Sequence, residues 1–234
     1  MSWIITGSEK YETDPYRSQV SLLLHGDGAN GSTTIVDSSL LPKTVTPIGN
    51  AQISTAIADP FGNSTGVIAF DGSGDYLLAP KSLITELGAD AFTLEFWVYL
   101  NEAKEQSFFN YVWSGNNFFM INVLSSGALD CWFGHNQGGT WGASSTTPLS
   151  TLNTWHHVAI CRSGNTFTGY VNGVSALSLS SSVSLNNSTG SYLMIGDYYV
   201  GGYNVNGYID DIRITKGVAR YTSNFTPPGP HPTF

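Results

Sequence analysis

The clearest pattern in the chain is an alternation of apolar and polar positions over residues 91–100. Every second residue from Phe92 to Leu100 is large and apolar, and the positions between them include Thr93 and Glu95. A strand sends successive side chains to opposite faces, whereas a helix cannot gather every second residue on one face. The alternation therefore predicts a β-strand with one face in the core.

Similar short runs recur along the chain, with turn-forming residues between them. Asn172-Gly173 separates two of the runs and favours a type I′ hairpin, because both central positions of that turn need positive φ. Many short strands with regular turns predict an all-β sandwich or barrel. The predicted strands are residues 20–25, 66–70, 76–79, 91–100, 108–113, 118–124, 128–133, 154–162, 166–171, 174–180, 192–196 and 207–215.

At most one short helix is expected, near residues 82–88. Leu83, Ile84 and Leu87 give this segment a one-sided apolar face. Ser82 can cap its start and Gly88 can end it.

The two ends of the chain differ from its middle. Residues 1–18 carry mixed charge with little periodicity and are interpreted as an N-terminal arm. Residues 19–226 form one sandwich domain in this interpretation. Residues 227–234 are Pro-rich and form an extended C-terminal tail, because proline cannot donate to a sheet ladder.

Composition fits an all-β protein and narrows its partners. Charged residues make up only 11% of the 234 residues, and the net charge is −8. Long helices usually carry Glu, Lys, Arg and Ala on their wet faces, which this chain cannot supply. Phosphate binding needs clustered Lys and Arg, so neither nucleic acid nor an anionic membrane is the expected partner.

The cysteines and the first residues of the chain indicate the cellular compartment in which a protein is made and folded. Cys131 and Cys161 lie in apolar, strand-like runs without zinc-site spacing. Buried free thiols are the favoured interpretation, and a Cys131–Cys161 bridge is the alternative if the two strands pair. The start has no signal-peptide pattern, and no apolar run approaches the roughly 20 residues of a membrane span.

Three segments resemble, in order, the laminin G-like branch of the concanavalin A-like lectin/glucanase superfamily. They are residues 92–98 (FTLEFWV), residues 154–173, which begin TWHHVAI and end YVNG, and residues 193–214, which include LMIG and GYIDDIRI. The resemblance spans about residues 20–226. It implies two curved antiparallel sheets packed face to face as a jelly roll.

Two further segments resemble laminin G-like modules of bacteriophage tail-fibre and head-fibre proteins. They are residues 216–228 (KGVARYTSNFTPP) and residues 21–28 (SLLLHGDG). This resemblance implies a structural or adhesion module on a virion capsid or tail, made in the host cytoplasm. It also implies attachment to other virion proteins through the arm or the tail, with a homo-oligomer as one form of assembly.

Catalytic chemistry is not expected. The superfamily's glucanases pair carboxylates on one strand in an E-x-D-x-x-E motif, which is missing from this sequence. Glu95 is the single Glu of its strand and is expected to be a wet-face or hydrogen-bonded carboxylate. His156 and His157 are adjacent on one strand, so they point to opposite faces and cannot share a metal ion. The catalytic residues are therefore predicted to be none.

One structural calcium ion is a hypothesis that the family resemblance suggests. Asp27 lies in a Gly-rich turn whose carbonyls are accessible, and Asp210 and Asp211 lie on the last strand. Calcium prefers six to eight hard oxygen ligands. The alternative is an Asp–Arg213 or backbone hydrogen bond that ends the strand.

Glycan binding is the other hypothesis for a site, because three segments interpreted as loops combine aromatic residues with Asn, Asp and Gly. The segments are residues 111–117, 134–145 and 197–206, and the candidate contacts are Trp113, Asn136, Trp141, Tyr198 and Tyr203. The alternative is that these aromatics cover the ends of the sandwich or an oligomer interface. A free-standing lectin domain and a divergent glycoside hydrolase are the competing functional interpretations.

Overall fold

The computed structural model describes residues 14–63, 65–113, 117–135, 139–149, 151–185, 192–198 and 201–232. The strands are β1 (Val20–Leu24), β2 (Thr46–Ile48), β3 (Gln52–Ser54), β4 (Val67–Asp71), β5 (Tyr76–Pro80), β6 (Phe92–Leu100), β7 (Gln106–Trp113), β8 (Asn117–Val123), β9 (Ala128–His135), β10 (Gly139–Pro148), β11 (Trp155–Ser163), β12 (Thr166–Val171), β13 (Val174–Ser180), β14 (Tyr192–Ile195) and β15 (Asn206–Lys216).

These strands form two antiparallel sheets, as the sequence pattern and the resemblance predict. Sheet A has the order β13-β12-β11-β6-β15-β4-β3, with β1 also paired to β15. Sheet B has the order β10-β9-β8-β7-β14-β5-β2. The fold is a two-sheet β-sandwich, and every strand predicted from the sequence is present.

Aromatic side chains hold the two sheets together. Phe96 of sheet A contacts Phe108 and Phe109 of sheet B, with ring centroids 5.4 and 4.9 Å apart. Phe167 of sheet A stacks on Phe133 of sheet B at 4.4 Å. All five rings are buried. Aromatic pairs of this kind contribute about 0.5–1.5 kcal/mol beyond the area they bury.

The local turn and helix predictions hold, with one correction. Asn172 and Gly173 have φ values of 50° and 76° and join β12 to β13, as a type I′ turn requires. The short helix is α1 (Ser82–Thr85), followed by Gly88 at φ 55°. The residue before the helix is Lys81, and no side chain caps it, so the prediction of a Ser82 cap was wrong. Ser82 is already within the first turn.

The segment 134–145 was interpreted as a loop, but most of it is strand. The hairpin of β9 and β10 pairs Trp141 with Phe133 and Gly139 with His135. Gly, Ser and Thr make up seven of the ten residues of β10, so its sequence lacks the apolar alternation that identifies a strand. Backbone pairing with β9 outweighs this weak propensity.

The last strand, β15, contains a bulge that moves its side chains between faces. Asp211 has φ 47°, and the register with β6 shifts between Asp210 and Arg213. Ile209, Ile212 and Ile214 consequently all enter the core between the sheets. Strict alternation along this strand predicts Asp210 on the same face as Ile212, and the bulge shows that prediction to be wrong.

Both cysteines are free and buried, which confirms the favoured interpretation over a bridge. Cys131 belongs to the core between the sheets, whereas Cys161 lies on the other side of sheet A with Ala159 and Tyr170. Within the described ranges, no helix is long and apolar enough to cross a membrane.

Candidate functional site

The outer face of sheet A, which is turned away from sheet B, carries a buried charge cluster centred on Glu95. Arg213 donates from Nε and Nη2 to Glu95 Oε1 at 2.9 and 2.7 Å. Tyr221 donates its hydroxyl to Oε2 at 2.7 Å, and His157 Nε2 lies 3.4 Å from the same oxygen. Glu95 is 0% exposed. The prediction of a hydrogen-bonded carboxylate holds, and that of a wet face does not.

Electrostatics keep this carboxylate ionised. Burial alone would raise the pKa of Glu95, but the hydrogen bond from His157 and the charge of Arg213 outweigh burial and hold that pKa well below its usual range. Arg213 and Arg220 both reach a second carboxylate, Asp14, at 3.3 and 2.6 Å. The cluster is a structural ion network that alternates positive and negative groups.

A segment from the end of the chain covers the cluster. We call residues 218–232 the C-terminal strap. Phe225 stacks on Tyr221 with ring centroids 3.5 Å apart, and its ring also contacts Tyr170 at 5.3 Å. The backbone of Phe225 passes close to Gly173. A Cβ atom on residue 173 would lie 1.9 Å from the carbonyl oxygen of Phe225. Six of the eight residues of the predicted tail, residues 227–232, therefore belong to this strap.

Near its end, the strap contacts another buried carboxylate, that of Asp211. Asp211 Oδ2 accepts a hydrogen bond from the His231 backbone at 3.0 Å, and Oδ1 lies 2.9 Å from His25 Nδ1. Both oxygens of Asp211 are thus engaged. Arg213 pairs with Glu95 and Asp14 and makes no ion pair with Asp210 or Asp211 among the described residues, so the predicted Asp–Arg213 contact was wrong.

Asp210 is in a different situation from its neighbour. It is 2% exposed, and its Oδ1 has no hydrogen-bond partner within the described part of the chain. Burial and then the charge of Asp211 raise the pKa of Asp210 well above its usual range, with smaller effects of Asp59 and Asp27. Gly26 faces this oxygen, and a Cβ on Gly26 would lie beside it. The oxygen points into a crowded acidic corner that lacks a counter-charge.

This corner fits part of the calcium hypothesis. An unpartnered carboxylate oxygen, a nearby exposed Asp27 and a glycine turn supply oxygens of the type that calcium takes. Asp211 does not fit, because His25 and His231 occupy its oxygens. The described residues contain no group of three or more His, Cys, Asp or Glu arranged as metal ligands. A calcium ion there would draw mainly on backbone carbonyls and water.

The predicted glycan contacts are only partly brought together. Tyr198 and Tyr203 meet edge to face with ring centroids 5.3 Å apart, beside the buried Asp197. Trp113 and Trp141 lie on β7 and β10 instead of on loops, and their side chains are outside the described set, as is the whole of Asn136.

Sequence reasoning missed the partners of Glu95. Arg213 and Tyr221 are far from Glu95 along the chain, and only the pairing of β15 with β6 and the strap brings them together. Trp97 and Tyr99, which share the face of Glu95 on β6, do indicate from the sequence that this face is partly covered, but they do not indicate which residues cover it.

Comparison with known proteins agrees with this architecture. A laminin G-type model described as the concanavalin A-like lectin/glucanases superfamily matches residues 71–220. Since this match covers more than half of the chain, the chain belongs to that superfamily. A search of curated proteins gave no match.

Solved structures of botulinum neurotoxins share the fold. One is type C, which interacts with two ganglioside molecules (15% identity, TM-score 0.62, covering 87% of this chain and 49% of that one). Another is the binding domain of neurotoxin DC in complex with SialylT (16% identity, TM-score 0.62, 87% and 49%). The same domain in complex with rat synaptotagmin II has 14% identity and a TM-score of 0.61, and the match covers 87% of this chain and 49% of that one. The chain spans about half the length of these proteins, and the likeness shows the fold.

Proposed function

We propose that this chain is a non-enzymatic, carbohydrate-binding module displayed on a bacteriophage virion. The observation that carries the proposal is the state of Glu95, within a superfamily of lectins and glucanases. Arg213 and Tyr221 occupy both of its oxygens, and no solvent reaches it. Glycoside hydrolysis needs two carboxyl groups facing each other across an accessible sugar. A sealed carboxylate supports binding as the use of this sandwich.

Binding is also what the solved relatives suggest. Neurotoxin type C interacts with two ganglioside molecules, and the binding domain of neurotoxin DC forms complexes with SialylT and with rat synaptotagmin II. Half-exposed aromatic rings beside polar groups, such as Tyr198 and Tyr203, are typical of surfaces that orient a sugar. A free-standing lectin domain is the second candidate, and it shares this chemistry.

The virion part of the proposal is supported by the likeness of residues 216–228 and 21–28 to phage fibre modules. Residues 1–18 would then attach the module to other virion proteins. The described end of this arm is fixed to the sandwich, since Asp14 pairs with Arg213 and Arg220. These ion pairs would connect the attached arm directly to sheet A.

A panel of bacterial surface polysaccharides, probed with the purified chain, tests the binding function. Retention of at least one polysaccharide without any release of reducing sugar is the expected result. Hydrolysis that survives Glu95→Gln would point to an enzyme with another acid, and a chain that binds no polysaccharide would remove the proposal. Proteomics of virions tests the location separately.

A calcium ion is a further part of the proposal. Asp210 and Asp27 would hold it, and the ion would neutralise the acidic corner and tie the Gly26 turn to β15. Its role would be structural.

A further inference from the structure

The outer face of sheet A is open at the end that the C-terminal strap does not cover. A groove of about 480 Å³ lies there, beside the edge strand β3 and the adjoining ends of β4 and β15. Its lining includes the amide side chains Asn30, Asn50, Gln52, Asn101 and Asn206, together with Asp71 and Tyr208. Apart from Asn206 at the end of the segment 197–206, these lining residues lie outside the segments singled out in the sequence.

The polar groups of the groove are held in fixed positions. Asp71 accepts hydrogen bonds from the Ser73 backbone at 2.8 Å and from Asn50 Nδ2 at 3.1 Å. Asn101 Nδ2 donates to Asn206 Oδ1 at 3.0 Å. The hydrogen bond from Asn50 and then that from the Ser73 backbone lower the pKa of Asp71, so the carboxylate stays an acceptor at neutral pH. Groups fixed before binding lose little entropy when a ligand arrives.

Aromatic rings continue the groove across the sheet. The pairing register places Gln52, Ala69, Tyr208, Tyr99 and Trp155 in one row over five neighbouring strands. The Tyr208 and Tyr99 rings meet edge to face at 5.6 Å, and those of Tyr99 and Trp155 at 5.5 Å. All five residues are partly exposed. With strands about 4.8 Å apart, the row is roughly 19 Å long, which gives room for several linked sugar rings.

A hydrogen bond also holds the Trp155 ring in position. Its Nε1 donates to the Ala58 carbonyl oxygen at 3.0 Å. An aromatic row of this kind, with amides and a carboxylate at one end, offers apolar ring faces and hydrogen-bonding groups along the same line.

We propose that this groove and the row from Gln52 to Trp155 bind a neutral saccharide chain. The inference rests on the proposed carbohydrate-binding function and names its site. Asp71 is an anion, and none of the lining residues is Lys or Arg. An acidic sugar would therefore meet like charge without a compensating cation, in a chain of net charge −8. Hydroxyl groups of a neutral sugar can donate to Asp71 and accept from the amides.

The test compares four variants on neutral and acidic polysaccharides. Tyr203→Ala probes the alternative contact made by Tyr198 and Tyr203. Tyr208→Ala removes the ring at the centre of the site, and Gln52→Ala removes an amide at the sheet edge. Tyr192→Ala is the matched control, because Tyr192 is an exposed tyrosine (54%) on β14 of sheet B. We expect the native chain to retain a neutral polysaccharide, Tyr208→Ala to lose at least about tenfold in affinity, as truncation of a central aromatic contact does, and Tyr192→Ala to stay within about twofold of the native chain.

The outcomes separate the site from the function. If the native chain binds no polysaccharide, both the proposed function and this site are wrong. If Tyr208→Ala and Gln52→Ala bind like the native chain, or Tyr203→Ala alone abolishes binding, the groove is wrong while the function stands. Preference for acidic polysaccharides also overturns the groove. Circular dichroism and the unfolding midpoint of each variant identify any loss caused by misfolding, and Gln52→Ala at the sheet edge then decides the case.

Discussion

Arg213 places two of its N–H groups on one oxygen of the fully buried Glu95 carboxylate, at 2.9 and 2.7 Å, under the covered part of the outer face of sheet A. Both residues come from adjacent strands, and their pairing follows from the register of β15 with β6. A buried charge pair of this geometry restricts the sheet to one arrangement, since either charge alone would be costly in the interior.

Removing one partner should therefore destabilise the protein strongly. We expect Glu95→Ala to reduce the free energy of unfolding by about 3–5 kcal/mol, because Arg213 would be left buried without its carboxylate. Urea unfolding of the native and variant chains measures this difference. The double variant Glu95→Leu, Arg213→Met is the control and should be closer to the native chain than Glu95→Ala. A loss below about 1 kcal/mol in the single variant would show that the pair is exposed in solution.

Thiol reactivity should report whether the C-terminal strap stays in place. Cys161 lies beneath it with Ala219 and Phe225, whereas Cys131 lies in the core between the sheets. Ending the chain at residue 217 should make Cys161 react with an aromatic disulfide reagent and leave Cys131 protected. Phe225→Ala, a milder change, should raise the same reactivity to a smaller extent.

Variant thiols assign the signal. Cys161→Ser in the shortened chain should abolish the fast reaction, and Cys131→Ser should leave it intact. Equal reactivity of both thiols would mean that the shortened chain has unfolded, in which case Phe225→Ala decides. A shortened chain that remains folded with an unreactive Cys161 would contradict the covering role.

Stability should fall as the pH is lowered, because of His231. Burial lowers the pKa of this side chain to about 4, against the opposing charges of Asp211 and Glu95. The unfolded chain, with an ordinary histidine pKa near 6.5, takes up the proton first. The contribution of neutral His231 to the free energy of unfolding is therefore complete above about pH 6.5. Roughly 3 kcal/mol of it is lost as the pH falls from about 6.5 to 4.

Unfolding midpoints measured across this pH range test the assignment to His231. His231→Gln removes the titrating group and should abolish this loss above about pH 4.5. Any change that remains there should be a gain as the pH falls, because the raised pKa of Asp210 acts with the opposite sign. Glu95 adds a loss only below its ordinary pKa, since its folded pKa is lowered and its stabilisation is present above that value. A native profile that stays flat down to about pH 5 would contradict the burial of His231.

The sequence alone predicts most of the fold and little of its chemistry. Alternation in Phe92–Leu100 and the Asn172-Gly173 turn determine local structure, so the strands and hairpin could be located from the residues themselves. The bulge at Asp211 could not, because Asp is enriched at positive φ but adopts it at few of its positions, so the residue type alone does not locate a bulge. That one residue decides which face Asp210 and Arg213 occupy, and so both the calcium hypothesis and the ion network depended on it.

The outer-face groove was missed for a related reason. Tyr208, Tyr99 and Trp155 belong to three strands that are distant in sequence, and only the strand order places them side by side. A search for glycan contacts within single loops cannot detect a row that runs across strands.

Asp210 allows a sharp test of the calcium hypothesis, because its carboxylate is buried without a partner for Oδ1 and beside other acids. Without calcium, Asp210→Asn should unfold at the same temperature as the native chain or higher, since the change removes a raised-pKa carboxylate that destabilises the folded state at neutral pH. With millimolar calcium, the native chain should gain stability and Asp210→Asn should not. Thermal unfolding in chelator and in calcium measures both.

Asp71→Asn, an acid-to-amide change in the groove, is the control and should respond to calcium like the native chain. A native chain whose midpoint is the same in chelator and in calcium would remove the ion from the proposal and leave Asp210 as a buried acid with a raised pKa.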